Sequence, residues 1–197
     1  MPWKNGGGET TEVTVFPASA SLDDFDWRVS MARVASDGPF SMFDGIDRTL
    51  CVLEGNGIDL EIAGDHAAAL TAGSAPFSFP ADTSTNGRLV DGPISDLNVM
   101  TRRGRFVHRI RVFGRTANEP VDCDADTILV LAHDGGCELR GRSVQADLQS
   151  LDCAVLAGGC LDFRLACKDA ARAFVIEIVK VTRPSTPDVG RGRLARP

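Results

Sequence analysis

Arginines recur within polar motifs that interrupt otherwise apolar segments of the chain. Arg28 lies in an alternating segment, Arg48 follows a glycine-containing turn, and Arg102 ends the segment that begins at Asp96. A guanidinium group offers a planar set of N–H donors that matches a carboxylate. If these segments line the mouth of one barrel, the arginines predict a site for a small carboxylate.

The segment from residue 96 to 102 carries the richest mixture of functional groups. Period-two geometry places Asp96, Asn98, Met100 and Arg102 on one face of a strand. An acid, an amide, a thioether and a guanidinium fit neither a clean core face nor an ordinary solvent face. The mixture favours the wall of a pocket that binds a small polar ligand.

A purely structural role is the alternative for these charges. Asp26, Asp47 and Asp96 could neutralise the arginines within the fold, because buried polar groups must find partners. The glycine-rich first residues are also open to two interpretations, either an entry segment or a lid that adds polar contacts to the pocket. The predicted ligand-binding set is Lys4, Asn5, Arg28, Arg48, Asp96, Asn98, Met100 and Arg102.

Metal-dependent and covalent catalysis find little support in the residue types. The histidines, His66, His108 and His133, are far apart and form no H-x-H pair. Cys51 and Ser41 have no evident histidine partner that would activate a nucleophile. We therefore expect no bound metal, no cofactor and no catalytic residue.

The composition limits the classes of partner. The chain has 197 residues and a formal net charge of -6, which argues against a nucleic-acid partner because phosphate binding needs a basic field. The first residues hold no apolar run of the signal-peptide kind, and no segment approaches the roughly 20 apolar residues of a membrane helix. We expect a cytoplasmic protein without membrane contact.

The cysteines are expected to be reduced thiols. None of the six forms a C-x-x-C pair of the kind that binds zinc. Disulfides are rare in proteins that are not exported. We predict no disulfide among Cys51, Cys123, Cys137, Cys153, Cys160 and Cys167.

Period-two alternation dominates the chain and predicts an all-β fold. Apolar runs are separated by Gly, Pro, Asn and Asp at intervals of about 8 to 12 residues, which is typical of a β-sandwich or barrel. Only the alanine-rich segment 65–71 suggests a helical turn. The clearest alternating or apolar stretches are 11–16, 25–32, 58–62, 97–100, 106–113, 127–132, 153–157, 161–166 and 173–182.

Two segments in different halves of the chain resemble each other. Residues 52–60 and 130–139 each suggest a strand, a tight turn and a second strand, with turns at Asn56-Gly57 and Asp134-Gly135. These dipeptides favour hairpins, and the pattern predicts two copies of one β-barrel unit, with chance similarity as the alternative. We place the N-terminal barrel in residues 1–90, the C-terminal barrel in 91–183 and a disordered basic tail in 184–197.

The polar motifs also carry a family resemblance. They are W-K-N-G-G-G at 3–8, F-D-W-R-V-S-M-A at 25–32, G-P-F-S with the residues that follow at 38–50, and D-L-N-V-M-T-R-R-G at 96–104. In this order and combination they resemble the HutD/Ves family. The resemblance implies a bicupin, with two RmlC-like jelly-roll barrels in one chain, and an association with histidine utilisation.

Three functional hypotheses follow from the residues and the resemblance. The first is a regulatory binding protein that holds a small carboxylate metabolite, for which the resemblance suggests urocanate or formylglutamate. The second is a metal-independent enzyme of the epimerase or isomerase kind, using a carboxylate–Lys or carboxylate–Arg pair. The third is a structural or interaction protein with a vestigial pocket. A homodimer is one option for its assembly.

Overall fold

The computed structural model describes residues 1, 3, 7–63, 65–114, 117–168 and 170–182, without the side chains of 65–67, 157 and 160. Every regular element within these ranges is a strand, so the all-β prediction is confirmed. Residues Asp65–Leu70 form a strand where a helical turn was suggested for 65–71. No helix long and apolar enough to cross a membrane occurs in the described part of the chain.

The strands follow the predicted apolar runs closely, with one merger. The runs predicted at 153–157 and 161–166 are a single long strand, since both pair continuously with one neighbour. The strands are β1 (Gly8–Phe16), β2 (Trp27–Val34), β3 (Gly38–Pro39), β4 (Ile46–Glu54), β5 (Ile58–Ile62), β6 (Asp65–Leu70), β7 (Phe77–Pro80), β8 (Thr85–Leu89), β9 (Ile94–Arg102), β10 (Phe106–Phe113), β11 (Asn118–His133), β12 (Cys137–Gly141), β13 (Gln145–Leu148), β14 (Cys153–Cys167) and β15 (Arg172–Lys180).

Three antiparallel sheets divide the molecule into two halves. The N-terminal half holds a five-stranded sheet of order β1-β2-β9-β4-β7 and a four-stranded sheet of order β3-β8-β5-β6. The C-terminal half holds one six-stranded sheet of order β10-β15-β11-β14-β12-β13. We refer to strands β1–β9 as the N-terminal half and to strands β10–β15 as the C-terminal half.

Strand β9 belongs to the N-terminal sheet, although the sequence placed residues 91–102 in the C-terminal barrel. It lies between β2 and β4, and Asn98 pairs with Ser30 on one side and with Leu50 on the other. Without β9, the facing edges of β2 and β4 would lack hydrogen-bond partners. The hydrogen bonding therefore divides the chain between Arg102 and Phe106 rather than near residue 90.

At each of the two predicted hairpins the chain makes a tight turn, but the strands on either side of the turn do not pair with each other. The turn at Asn56-Gly57 leads from β4 to β5, which lie in separate sheets, and the turn at Asp134-Gly135 leads from β11 to β12, which do not pair. Positive φ angles at Gly57, Asp134 and Gly135 explain why these residue types occur there. The turn prediction is confirmed, and the prediction that each turn closes a hairpin is wrong.

The order of the strands repeats between the halves. The run β2-β9-β4-β7 of the N-terminal half corresponds to β10-β15-β11-β14 of the C-terminal half. The pairs β5·β6 and β12·β13 extend the correspondence. The halves differ after the tight turn, because β5 lies in the second sheet of its half whereas β12 lies in the same sheet as β11.

An apolar cluster shared by the halves holds them together. One face of the sheet formed by β2, β9 and β4 packs against β10, β15 and β11 of the other half. The buried members are Trp27, Val29, Cys51, Leu53, Leu97, Val99, Phe106, Leu129, Leu131, Phe174, Ile176 and Ile178. The apolar face of β2 therefore packs against the C-terminal half, and its polar face points toward the interior of the N-terminal half.

Candidate functional site

A cavity of about 600 Å³ lies in the N-terminal half, against the polar face of β2, β9 and β4. Its wall is mixed, with aromatic and aliphatic groups around a few charged ones. The lining residues are Met1, Trp3, Thr10, Leu22, Arg28, Ser30, Ala32, Val34, Ser36, Asp37, Gly38, Pro39, Phe40, Ser41, Phe43, Arg48, Gly87, Asp96, Asn98 and Met100. Such a wall is typical of small-molecule sites, whose volumes run from about 300 to 1,000 Å³.

Arg28 enters the cavity from the start of β2. Its Nε donates to Glu12 Oε2 over 2.8 Å, and its Nη1 donates to Ser30 Oγ over 3.3 Å. Glu12 lies on the neighbouring strand β1, directly opposite Ser30. The ion pair anchors one edge of the guanidinium group, and the side chain of Arg28 is buried.

Arg48 enters from β4 and is surrounded by aromatic rings. Its guanidinium carbon lies 5.5 Å from the ring centre of Phe40, 5.4 Å from that of Phe43 and 5.7 Å from that of Phe79. Its Nη2 donates to the carbonyl oxygen of Ser41 over 2.9 Å. Burial lowers the pKa of Arg48 to about 10, so the group stays cationic at neutral pH.

Asp96 lies on β9 between the two arginine-bearing strands and is fully buried. Its Oδ1 accepts a hydrogen bond from Asn98 Nδ2 over 2.6 Å. Burial raises the pKa of Asp96 to about 7, against the opposing charge of Arg48 and the hydrogen bonds from Ala32 and Asn98. The carboxyl group can therefore gain or lose a proton near neutral pH.

Three buried polar atoms of this site have no hydrogen-bond partner within the described part of the chain. They are Arg28 Nη2, Arg48 Nε and Asp96 Oδ2. A buried donor or acceptor without a partner costs about 1–3 kcal/mol. Two N–H donors and one carboxyl oxygen at one cavity are therefore available to a bound molecule.

Most of the predicted site residues come together. Arg28, Arg48, Asp96, Asn98 and Met100 all line the cavity. The two residues predicted at its rim, Lys4 and Asn5, lie outside the described residues.

Arg102 was also predicted in this set, but it lies elsewhere. Its Nε and Nη2 donate to the carbonyl oxygen of Phe25 over 3.0 and 2.7 Å, and Nε lies 3.8 Å from Asp26 Oδ1. It is the last residue of β9, and its side chain contacts the segment that precedes β2 instead of pointing into the cavity. Arg102 therefore has the structural role that was the alternative.

The predicted structural network is only partly present. Asp96 attracts Arg48, as that alternative required. Asp26 contacts Arg102 and Arg105, whereas Asp47 bonds to Arg103 near the surface. The partner of Arg28 is Glu12 rather than any of the three predicted acids.

Several contributors were missed by reasoning from the sequence. Glu12 carries a faint signal, since it interrupts a run of threonines and valines on β1. Trp3, Phe40 and Phe43 belong to the family-like motifs, but aromatic residues in such segments are more often core than pocket wall. Only the pairing of distant strands brings these groups to one cavity.

The two histidines whose side chains are described, His108 and His133, contact different groups. His108 lies between Thr49 Oγ1 and Thr101 Oγ1, at 2.7 and 2.8 Å, and burial lowers its pKa to about 4. It fills a polar gap between β10 and the N-terminal sheet. The side chain of His66 is not described.

Among the described residues, one group of possible metal ligands occurs at the junction of the halves. Ligand atoms of Glu54, His133 and Asp134 lie within 4.8 Å of one another. The guanidinium of Arg172 already lies 3.0 Å from Asp134 Oδ2 and 3.3 Å from His133 Nδ1. Because this cation occupies the position next to both groups, the cluster is better described as an ion-pair network.

Comparison with known proteins identifies relatives along most of the chain. The sequence model of the HutD family matches residues 1–175. Protein Ves of Citrobacter koseri is 41% identical over 115 residues, which cover 58% of this chain and 59% of that protein. A 21.2 kDa protein of the hutC 3′ region of Pseudomonas putida is 34% identical over 181 residues, covering 91% of this chain and 92% of that protein. The chain thus spans less than two thirds of the length of that Ves protein.

Solved structures show the same relationship at the level of the fold. HutD from Pseudomonas fluorescens SBW25 superposes with a TM-score of 0.80 and 31% identity, covering 92% of this chain and 94% of that one. A cupin 2 conserved barrel domain protein from Leptotrichia buccalis superposes with a TM-score of 0.56 and 12% identity, covering 92% of each chain. The second likeness concerns the fold alone, which is cupin-like.

Proposed function

We propose, from the premise that this chain belongs to the HutD family, that it binds a small carboxylate metabolite in the cavity of its N-terminal half. The observation that carries the proposal is the set of open polar atoms at one buried site, Arg28 Nη2, Arg48 Nε and Asp96 Oδ2. A carboxylate is the natural acceptor for two arginine N–H groups. Asp96 Oδ2 adds a position for a donor on the same ligand.

The buried cations of the cavity support an anionic ligand. The lining holds two arginines, Arg28 and Arg48, and two acids, the exposed Asp37 and the buried Asp96, and the pKa of Asp96 lies near 7, so part of its charge is absent at neutral pH. The other acid in contact, Glu12, is partly exposed and already pairs with Arg28. The two guanidinium groups are buried, in surroundings of low dielectric constant where one anion would be strongly attracted.

The shape of the cavity supports a ligand with an apolar or planar part. Trp3, Phe40 and Phe43 line the cavity beside the charged groups. Urocanate and formylglutamate both combine a carboxylate with an N–H group and are small enough for the volume. Their place in histidine breakdown accords with the names of the HutD relatives, and a regulatory role in histidine utilisation is part of the proposal.

The proposed architecture is a bicupin. The repeated order of strands in the two halves supports two copies of one barrel-like unit, and the likeness to a cupin barrel protein supports the type of unit. In this arrangement the N-terminal copy holds the ligand and the C-terminal copy braces it through the shared apolar cluster.

Thermal melting with matched ligands tests the binding proposal. Urocanate and formylglutamate should each be compared with the corresponding amide, which keeps the shape and lacks the charge. A bound acid raises the melting temperature by mass action, so at least one acid should stabilise the protein and its amide should not. No shift with either acid, or equal shifts with acid and amide, would favour a vestigial pocket.

A metal-independent enzyme is the second candidate, and Asp96 is the observation that favours it. A buried carboxyl group with a pKa near 7 in a cavity is suited to general acid–base catalysis. An epimerase or isomerase would pair it with Arg48. Turnover of a bound acid, with a rate that follows one ionisation near pH 7 and is lost in Asp96→Asn, would support this candidate.

A further inference from the structure

Two cysteines of the C-terminal half lie directly opposite each other on neighbouring strands. Cys137 begins β12 and Cys167 ends β14, and the register pairs them. Their sulfur atoms are 3.5 Å apart, with the Cys137 thiol oriented to donate to Cys167 Sγ. Both are free thiols.

The backbone hydrogen bonds around β14 show whether Cys137 and Cys167 occupy a hydrogen-bonded or a non-hydrogen-bonded position. The backbone N–H of Cys167 donates to the carbonyl of Ala117, on the side away from β12. The bond between β14 and β12 is made one residue later, from Lys168 N to the carbonyl of Gly136. Cys137 and Cys167 therefore occupy a non-hydrogen-bonded position, where Cα atoms of antiparallel strands are about 4.5 Å apart. Disulfides span Cα separations of about 4.4–6.8 Å.

The surroundings favour Cys167 as the first sulfur to react. Cys167 is partly exposed and Cys137 is buried. Burial raises the pKa of both thiols, but the hydrogen bond from Cys137 opposes that effect at Cys167. A small cavity of about 200 Å³, lined by Cys137 and Lys168 among others, adjoins the pair. A reagent of the size of a peroxide can reach Cys137 from this side, and it can reach Cys167 through the partly exposed surface of that residue.

We propose that Cys137 and Cys167 are a modification site at which a peroxide forms a reversible disulfide between β12 and β14. The Cys167 thiolate attacks one peroxide oxygen, the O–O bond breaks, and the departing hydroxide takes up a proton to become water. The sulfur of Cys137 then attacks the resulting sulfenic acid, and the S–O bond breaks. The second hydroxide takes up the proton of Cys137. Two thiols and one hydrogen peroxide thus give one disulfide and two waters.

This inference differs from the expectation that all six cysteines stay reduced, which rested on the absence of an export signal. It is independent of the proposed ligand site, because the pair lies in the C-terminal half. A cross-link between β12 and β14 restrains the unfolded chain, so the oxidised protein should melt at a higher temperature than the reduced one.

Counting thiols in the intact protein tests the proposal. The folded full-length chain is treated with hydrogen peroxide, quenched with catalase, denatured and labelled with N-ethylmaleimide. The mass of the wild type should show two labels fewer than that of the untreated protein, and dithiothreitol before labelling should restore them. Peptide mapping should find one linked pair, containing Cys137 and Cys167.

Matched serine variants locate the effect. Cys167→Ser should keep every label after peroxide, whereas Cys153→Ser, which leaves the pair intact, should still lose two. The proposal is overturned if the wild type keeps all its labels, if Cys167→Ser also loses two, or if the linked peptide contains other cysteines. The peptide map of the wild type decides the matter if a serine variant does not fold.

Discussion

The two halves of the molecule place similar charges on corresponding strands and use them differently. In the N-terminal half, Arg28 and Arg48 face a cavity, and each keeps an N–H group without a partner in the described chain. In the C-terminal half, Arg109 and Arg111 of β10 both pair with Glu177 of β15, each over 2.6 Å, and Arg111 also keeps its Nε without a partner in the described chain. The open donors of Arg28 and Arg48 are available to a ligand because they lie at a cavity, whereas Arg109 and Arg111 line neither of the two cavities described.

The interiors of the two halves also differ in how completely apolar side chains fill them. The C-terminal interior is filled by a large apolar cluster whose members include Val121, Ile128, Val130, Phe163 and Val175. The N-terminal half has two smaller apolar clusters, and the cavity lies beside them. The interior of the C-terminal half is therefore fully packed, whereas that of the N-terminal half contains a cavity.

The largest expected difference comes from placing a new acid in each interior. Val130→Asp buries an unpaired carboxylate in the packed C-terminal cluster, at a cost of several kcal/mol, so the chain should lose cooperative unfolding. Ser30→Asp adds an acid beside Arg28 in the cavity and should fold, with carboxylate binding abolished. Chemical denaturation followed by circular dichroism measures both. Equal damage from the two substitutions would contradict the contrast between the interiors.

Removing the native acid from each half should change stability in opposite directions at pH 8. Glu177→Gln leaves Arg109 and Arg111 without a charged partner and should cost about 1–2 kcal/mol, since the arginines are partly exposed. Asp96→Asn should be more stable than the wild type at this pH, because it removes a buried carboxylate.

The contribution of Asp96 to the free energy of unfolding depends on pH. Its pKa is raised in the folded state from 3.8 to about 7, so its protonated form stabilises the fold at low pH. That contribution is lost as the pH rises from about 4 to 7. Urea denaturation from pH 5 to 8 should show the advantage of Asp96→Asn growing with pH. An advantage that shrinks with pH, or is absent throughout, would contradict the assignment.

A smaller effect is expected on ligand binding. Protonation of Asp96 removes a negative charge next to the proposed carboxylate, so affinity should rise as the pH falls from 8 toward 7. The change is at most about tenfold per pH unit for one linked proton. Isothermal titration calorimetry with formylglutamate measures it, and Asp96→Asn should bind with nearly constant affinity. The same slope in both proteins would assign the ionisation to another group.

Local patterns predicted much of the fold. Alternating side chains identified most strands to within a few residues, and the Asn-Gly and Asp-Gly turns were found because only a few residue types tolerate positive φ. Pairing was not predictable in the same way. Nothing in residues 94–102 tells whether they pair with β2 and β4 or with later strands, because the partners are distant in sequence.

The candidate site was predictable in its residue types and less so in its geometry. Arg28, Arg48 and Asp96 stood out because polar groups interrupted apolar alternation. Arg102 belonged to the same pattern, and its position at the end of β9 decided its different role. Glu12 was missed because a carboxylate on an edge strand is ordinary until its cross-strand neighbours are known.

Calorimetric titration of matched arginine variants tests the central claim most directly. Arg28→Met and Arg48→Met remove the N–H donors that lack a partner at the N-terminal cavity. Arg109→Met removes an arginine of the C-terminal half that is paired with Glu177. The account predicts that each cavity variant weakens the binding of the carboxylate by at least about 30-fold, which corresponds to about 2 kcal/mol, while Arg109→Met binds like the wild type. Binding that survives both cavity substitutions, or that is lost in Arg109→Met, would contradict it.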